Sequence, residues 1–518
     1  MRPALLRTLG FLGAGLLQAA SIAWPGSGRP LWWLQLLSLA LLFALLDVER
    51  AAGSRWLGVG LRGWLFGTAW LAGTFWWLFV SMHTYGGLAA PLAALAVLAL
   101  AAALALYYAA ACAAFVALAP RSRAGAVLLF AALWTLAELL RGHWFTGFPW
   151  GAGGYAHVDG PLAGYAPWVG VYGIGAAAAA LAACLGWMAR ALQVRDARAA
   201  GLPALAAAVL ALAPPGLRAL HDGGAQHSRG TLGVALLQGN IPQDEKFVPG
   251  AGIGIALRWY AAQLQASKAP LVVTPETAIP LLPRQLPEGY WAALAARFAG
   301  SGQVALVGLP LSDASGDYAN SVVGLLPQPQ AAYRYDKHHL VPFGEFIPPG
   351  FGWFIRMMNI PLGDFHRGAL PQAPLEWQGQ RIAPNICYED LFGEEIGAGF
   401  RDAASAPTVL LNLSNIAWFG DTVAIDQHLA ISRMRALEFE RPMLRATNTG
   451  ATAVIDHRGV VTHALPRLTR GVLEAQVEGR SGLTPYAWWV SRAGLAPLWG
   501  LALLGVAAGA AAAWRRSR

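Results

Sequence analysis

The first 214 residues are written in long apolar runs, and that pattern decides what the chain can become. A helix that crosses the hydrocarbon core of a bilayer needs about 20 apolar residues. Runs of this kind lie at 4–23, 31–47, 63–82, 90–118, 124–140, 168–189 and 200–214, with another at 494–514. The fourth is long enough to tilt or project beyond the bilayer; the seventh is short. Charged residues make up 13% of the 518 and hydrophobic ones 56%, whereas ordinary soluble domains are about 25% charged. The expected organisation is a membrane domain of seven spans at 1–214, a polar domain at 215–490, and a C-terminal span with a basic tail at 491–518. Arg2 and Arg7 ahead of an apolar run resemble a signal peptide, but the spans that follow favour a retained helix.

Loop charges give an orientation. Arg2 and Arg7 precede the first run, Arg50 and Arg55 follow the second, Arg121 and Arg123 the fourth, Arg190, Arg195 and Arg198 the sixth, and Arg515, Arg516 and Arg518 the last. The alternate loops carry little beyond Arg29 and Arg141. The positive-inside rule then places both termini in the cytoplasm and residues 215–493 outside. The same scatter of arginines argues against reading the net charge of +9 as a nucleic-acid surface.

The polar domain has a different rhythm. Short apolar runs recur at 232–237, 271–273, 304–307, 321–326, 382–386, 409–413, 443–446, 452–455, 460–463 and 472–477, with helical patterns at 252–267, 288–299 and 423–440. Strands interleaved with helices predict a layered α/β domain. Asp456-His457-Arg458-Gly459 between two runs predicts a hairpin turn.

Three residues carry the chemistry. Cys387 follows the run Ile382–Ile386 and precedes Tyr388, Glu389 and Asp390, the pattern of a strand-to-helix elbow that exposes a nucleophile. Cys112 and Cys184 lie in apolar segments, so Cys387 is the one cysteine of the polar domain and is either an inert buried thiol or a nucleophile. Glu276 ends the run Leu271-Val272-Val273-Thr274-Pro275, where a carboxylate at a strand end can act as a base. Lys337 is one of only three lysines, with Lys246 and Lys268, and its setting of Tyr335, His338, His339 and Leu340-Val341-Pro342-Phe343 is not that of a solvated surface. A compact ammonium there can hold a thiolate or an oxyanion. Glu345 is either a second site carboxylate or the ion-pair partner of Lys337. His338 and His339 offer a competing Cys-His dyad, which leaves Glu276 without a role. Serine-hydrolase, zinc-protease and nucleotide-binding signatures are absent.

With these residues the chain closely resembles the apolipoprotein N-acyltransferase family, a membrane branch of the nitrilase superfamily. The resemblance rests on Gln238–Gln243, Thr274–Thr277, Tyr335–Glu345, Ile386–Glu389, Asn412–Asn415, Arg433–Glu438, Arg441-Pro442 and, in the membrane half, Thr146–Trp150. It implies a multi-span α-helical membrane domain of about eight helices with a nitrilase-like α-β-β-α sandwich. It implies Glu276 as general base, Lys337 as oxyanion stabiliser and Cys387 as nucleophile, with Glu345, Tyr388 and Glu389 in support. Two positions depart from the family's pattern: Phe247 stands where a Trp is usual, and Ile416 replaces the Asp of a Ser-Asn-Asp-Ala-Trp run.

The implied reaction moves a fatty acyl chain from a membrane phospholipid to the α-amine of a diacylglyceryl-cysteine on an apolipoprotein, through a thioester. The implied location is a bacterial inner membrane. No metal or dissociable cofactor is implied. Phe247, Trp150, Phe343, Phe346, Trp353, Phe354, Trp418 and Phe419 are candidates for a lipid-facing wall. Two other readings fit parts of the chain: an anchored amidase acting on a small soluble substrate, and a transporter or receptor with an external binding domain, for which Glu138 is the intramembrane charge of interest.

Overall fold

Alternation along the strands sets the architecture of the polar half. In β1 (His227–Gln238), Leu232, Val234 and Leu236 enter one apolar cluster, while Ala235 and Leu237 enter another. That two-sided burial recurs in β2 (Leu271–Val273), β3 (Val304–Ser312) and β4 (Tyr318–Leu325), which with β5 (Tyr333–Asp336) and β12 (Gly471–Ser481) form a sheet of order β12-β1-β2-β3-β4-β5. A second sheet runs β11-β10-β9-β8-β7-β6. Its strands are β6 (Leu375–Trp377), β7 (Gln380–Ile386), β8 (Val409–Ser414), β9 (Met443–Thr447), β10 (Ala453–Ile455) and β11 (Val461–Ala464). Each sheet has a parallel centre, β1-β2-β3 and β7-β8-β9, with antiparallel flanks. Leu236, Val273 and Leu306 of the first sheet meet Ile382, Leu411 and Leu444 of the second in one buried core. On the other face of the first sheet, helices Gly252–Ala266 and Tyr290–Ala299 pack through Tyr260, Leu264, Leu294 and Phe298.

The computed structural model describes residues 3–193, 197–222, 227–312, 317–327, 332–355 and 365–517. The chain divides into two units, one of Met1–Trp76, Pro91–Gly224 and Ala493–Arg518, the other of Trp77–Ala90 and Ala225–Arg492.

Among the described residues, six helices are long and apolar enough to cross a membrane: Ala4–Ile22, Trp32–Ala51, Ala90–Leu118, Arg123–Thr146, Pro161–Gln193 and Ala496–Arg515. The expected span at 63–82 is broken: one helix ends at Thr74 and a short one begins at Leu78, which makes seven spans if the pair counts as one. The cause is tertiary. The Trp77 indole N–H donates to Gln427 Oε1 at 3.0 Å and its ring packs on Phe419 at 4.3 Å, which draws this piece into the second unit. The run at 200–214 lies within the helix Ala197–Asp222, but its apolar part, Gly201–Pro214, is shorter than a full span.

In the first unit Glu138 and Arg141 are buried on one helix and serve the irregular segment that follows it. Glu138 Oε1 accepts from Gly153 N at 2.6 Å, and Arg141 Nη1 donates to the carbonyls of Phe148 and Trp150 at 2.6 and 2.8 Å. Gln35 bridges Gly153 O and His157 Nε2. Buried non-helical backbone needs such partners, because its N–H and C=O groups cannot be left unpaired.

One close approach fixes the loop that leaves β2. A Cβ on Gly308 of β3 would lie 2.2 Å from the Pro275 carbonyl oxygen and 3.0 Å from Glu276 Cα. Thr274 N and Gly308 N complete the seam, donating to Leu306 O and Thr274 Oγ1 at 3.0 Å each. Gly308→Ala is expected to destabilise the protein by up to about 3 kcal/mol through overpacking, read as a lowered thermal midpoint in detergent. A Gly300→Ala control, with open space around its Cβ, should leave the midpoint near wild type.

Candidate active site

The parallel strands deliver their C-terminal ends to one place, as open α/β sheets do. Cys387 comes directly after β7 with φ +53°, a left-handed conformation that a non-glycine residue holds only when its surroundings impose it. Here they do. The Cys387 carbonyl accepts from Asn412 Nδ2 at 3.1 Å and from His428 Nε2 at 3.2 Å. Arg445 Nη2 donates to His428 Nδ1 at 3.2 Å, so the ring proton sits on Nε2, between Asp390 Oδ1 at 3.0 Å and Cys387 O. Arg445 and Ser432 also bond Asp390 Oδ2.

Glu389 locks the same turn from the other side. Its Oε2 accepts from Ile386 N at 2.5 Å and the Tyr335 hydroxyl at 2.9 Å; its Oε1 accepts from His338 N and His339 N at 2.6 and 3.1 Å. Burial pushes the Glu389 carboxyl up to about 7, against the pull of those backbone donors. Tyr388 is buried against His339 and Phe392.

Lys337 is 1% exposed and sits between two carboxylates, with Nζ 2.9 Å from Glu345 Oε1 and 3.3 Å from Glu276 Oε1. Asn320 Nδ2 donates to the same two oxygens at 2.8 Å each. Glu276 Oε2 accepts from Asn415 N, and Glu345 Oε2 from Val341 N, both at 2.9 Å. Glu345 is thus both a carboxylate of this cluster and the ion-pair partner of Lys337. Burial works against the Glu276 carboxylate, yet Lys337, Lys246 and the Asn320 and Asn415 donors outweigh it and hold the group below the usual range. Burial likewise works against the Lys337 ammonium, and Glu345 and Glu276 reverse the outcome and raise it. The Cys387 thiol lies in the field of all three. Burial and then the Glu276 charge push it up to about 12, with Lys337 pulling the other way. At neutral pH the resting sulfur carries its proton.

The structure therefore brings Glu276, Lys337, Glu345, Cys387 and Glu389 together. It gives the two histidines other partners: His338 Nδ1 meets Gly368 O at 2.8 Å, and His339 Nδ1 meets Glu395 Oε1 at 2.9 Å with its ring stacked on Phe392. Of the aromatic candidates, Phe247 is 37% and Trp353 55% exposed, while Phe343, Phe346, Trp418 and Phe419 are half-buried. Phe343 packs on Phe351, and Trp418 on Tyr85. Trp150 is buried inside the first unit. The Phe354 side chain lies outside the described residues. Ile416 is 1% exposed, a place suited to an apolar side chain.

Sequence reasoning missed Asn320, Asn415 and Lys246 as members of the cluster. Signals existed for each: an asparagine inside an apolar strand, an Asn-Leu-Ser-Asn run at a strand end, and a rare lysine.

Residues 14–184 match the family model described as apolipoprotein N-acyltransferase N-terminal domain, and residues 233–486 the one described as carbon-nitrogen hydrolase. A protein from Verminephrobacter eiseniae named apolipoprotein N-acyltransferase is 60% identical over 93% of this chain and 92% of its own length. One of the same name from Ralstonia nicotianae is 50% identical over 91% and 88%. Among solved structures, an amidase from Nesterenkonia sp. is 18% identical with a TM-score of 0.37, over 52% of this chain and 96% of that one.

Removing one member of a buried charge cluster strands the others, at a cost of about 3–5 kcal/mol. Lys337→Met should therefore lower the thermal midpoint sharply, and adding Glu345→Gln should restore part of the loss. The Glu276 contribution to stability should be present above the unfolded carboxylate value of about 4.3 and disappear as pH falls through its depressed folded value. A midpoint-versus-pH series on wild type and Glu276→Gln checks the sign.

Proposed function

The chain belongs to the apolipoprotein N-acyltransferase family, and from that membership we propose a two-step acyl transfer carried by Cys387, Glu276 and Lys337. The observation that carries the proposal is the Glu276–Lys337 ion pair, 3.3 Å long and buried, beside a thiol on a strand-to-helix elbow. In the first step Glu276 takes the Cys387 proton as sulfur attacks the ester carbonyl of a membrane phospholipid. Lys337 and the main-chain N–H at Tyr388 hold the tetrahedral oxyanion. The carbon–oxygen bond to glycerol breaks, Glu276 returns the proton to the leaving alkoxide, and lysophospholipid departs from a thioester. In the second step the α-amine of an apolipoprotein's N-terminal diacylglyceryl-cysteine attacks that thioester. Glu276 takes the amine proton, the carbon–sulfur bond breaks, and the proton returns to sulfur.

The protonation states fix the timing. A thiol pushed up to about 12 and a carboxylate held low do not exchange a proton at rest. The transfer must accompany attack, when negative charge appears beside Lys337. Tyr388, Glu345 and Glu389 support by fixing the turn and the ammonium. The exposed and half-buried aromatics Phe247, Phe343, Phe346, Trp418 and Phe419 are suited to a lipid-contacting, water-poor rim, which an amine acceptor needs if it is to outcompete water. The arginine bias of the loops supports a polar domain on the periplasmic side of the inner membrane, where both lipid-anchored substrates present their reacting groups.

Intact-protein mass spectrometry in detergent with phospholipid should show wild type gaining one acyl group, Cys387→Ala gaining none, and a diacylated lipopeptide amine discharging the adduct. A well-folded wild type that never gains the acyl group overturns the thioester route. The acylation rate should also persist at mildly acidic pH and fall only below about pH 4.3, because the base is lost as pH drops through the depressed Glu276 value.

A further inference from the structure

Lys246 is buried in the same cluster, at 2% exposure, and the mechanism above gives it no task. Its Nζ donates to the main-chain carbonyl of Glu276 at 3.2 Å and lies 5.7 Å from the Phe247 ring centroid. The loop that carries it is tied down on both sides. Lys246 N donates to Pro242 O at 2.9 Å, Ile241 N to Asn448 Oδ1 at 3.0 Å, and Gln243 Oε1 accepts from Asn415 Nδ2 at 2.8 Å. Asn415 is the residue whose N–H meets Glu276 Oε2. Glu276 is thereby gripped at both carboxylate oxygens and at its own carbonyl, next to Thr277 at φ +48°.

We propose that Lys246 is a positioning residue of the acyl-transfer site, fixing the main chain at Glu276 and holding its carboxylate in the charged form that can accept a proton. The proposal rests on the reading of Glu276 as the base. A neutral amide would satisfy a buried carbonyl at far less desolvation cost than an ammonium, so the charge itself calls for a reason. The neighbours supply one. Glu276 after β2, Glu345 in the loop after β5, and Glu389 with the Cys387 thiol after β7 all interact with Lys337, and Glu276 and Cys387 interact with Lys246 as well. Arg445, behind the elbow, is paired with Asp390. Lys246 acts on Glu276 as the second cation after Lys337. Burial pushes the Lys246 ammonium down to about 8, with Glu276 and Cys387 pulling it back up, so at neutral pH it is charged.

The test is the pH dependence of acyl-enzyme formation by the full-length protein in detergent, followed by mass spectrometry across the carboxylate range, about pH 3 to 7. Lys246→Gln keeps a donor without the charge. Its acidic midpoint should rise by about one pH unit, an approximately tenfold slower reaction below that midpoint. Lys246→Arg should keep the wild-type midpoint. A wild-type midpoint in Lys246→Gln, whatever its overall rate, overturns the proposal. If that variant does not fold, Lys246→Met carries the same expectation and the same overturning result. Glu276→Gln separates the two levels: if it still forms acyl-enzyme, the base assignment fails, whereas a silent Glu276→Gln beside an unshifted Lys246→Gln removes Lys246 alone.

Discussion

A lysine ammonium taken out of water must be compensated on the spot, and the arrangement of the polar unit follows from how this is done for Lys337. Two carboxylates from different segments close on it, Glu345 at 2.9 Å and Glu276 at 3.3 Å, and Asn320 fills the gap between them. An ion pair of this kind gains little net stability over an apolar replacement, because desolvation offsets the Coulomb attraction. Its effect is on protonation. It keeps Glu276 charged where burial alone would favour the neutral acid, while burial of the neighbouring thiol keeps its proton on sulfur.

The main chain carries a matching strain. Thr277, Phe343 and Cys387 all have positive φ, at 48°, 64° and 53°. Each follows, or sits between, residues of the charge cluster. Non-glycine residues in this region cost on the order of 1–3 kcal/mol each, and their positions persist because the surroundings over-determine them. Ile279 N reaches Gly308 O beyond the first, Phe343 N bonds Phe346 O at the second, and Asn412 and His428 take the carbonyl of the third. A buried polar network of Asp390 in the turn, His428 and Ser432 on the helix Ala424–Phe439, and Arg445 on β9 thus holds one carbonyl in place.

The strands that are buried on both faces were legible in the sequence, since an apolar run bounded by turn residues has few other uses. β5 and β6 were not among the runs read there: both lie at sheet edges, and their residues, Tyr333–Asp336 and Leu375–Trp377, are short and half polar. The hairpin at Asp456–Gly459 was legible because Gly459 holds φ +73° where the chain turns. Cys387 stood out as the one thiol of the polar half, and Lys337 through its apolar setting. Asn415 and Lys246 did not, because each acts on Glu276 across a fold contact, 139 and 30 residues away, that no local spacing encodes. The break near Trp77 was hidden for the same reason: hydropathy reads the run as continuous, and the contact that interrupts it is tertiary.

That break also bears on how the protein is made. Trp77 leaves the ribosome 350 residues ahead of Gln427, the side chain its indole bonds. At about 5–20 residues per second, its partner follows roughly 20 to 70 s later. During that interval Trp77–Ala90 lacks the Gln427 and Phe419 side chains that Trp77 meets in the folded unit. Biogenesis must therefore keep this stretch open for a late arrival, and a fragment that begins at Ala225 would emerge without a part of its own folded unit.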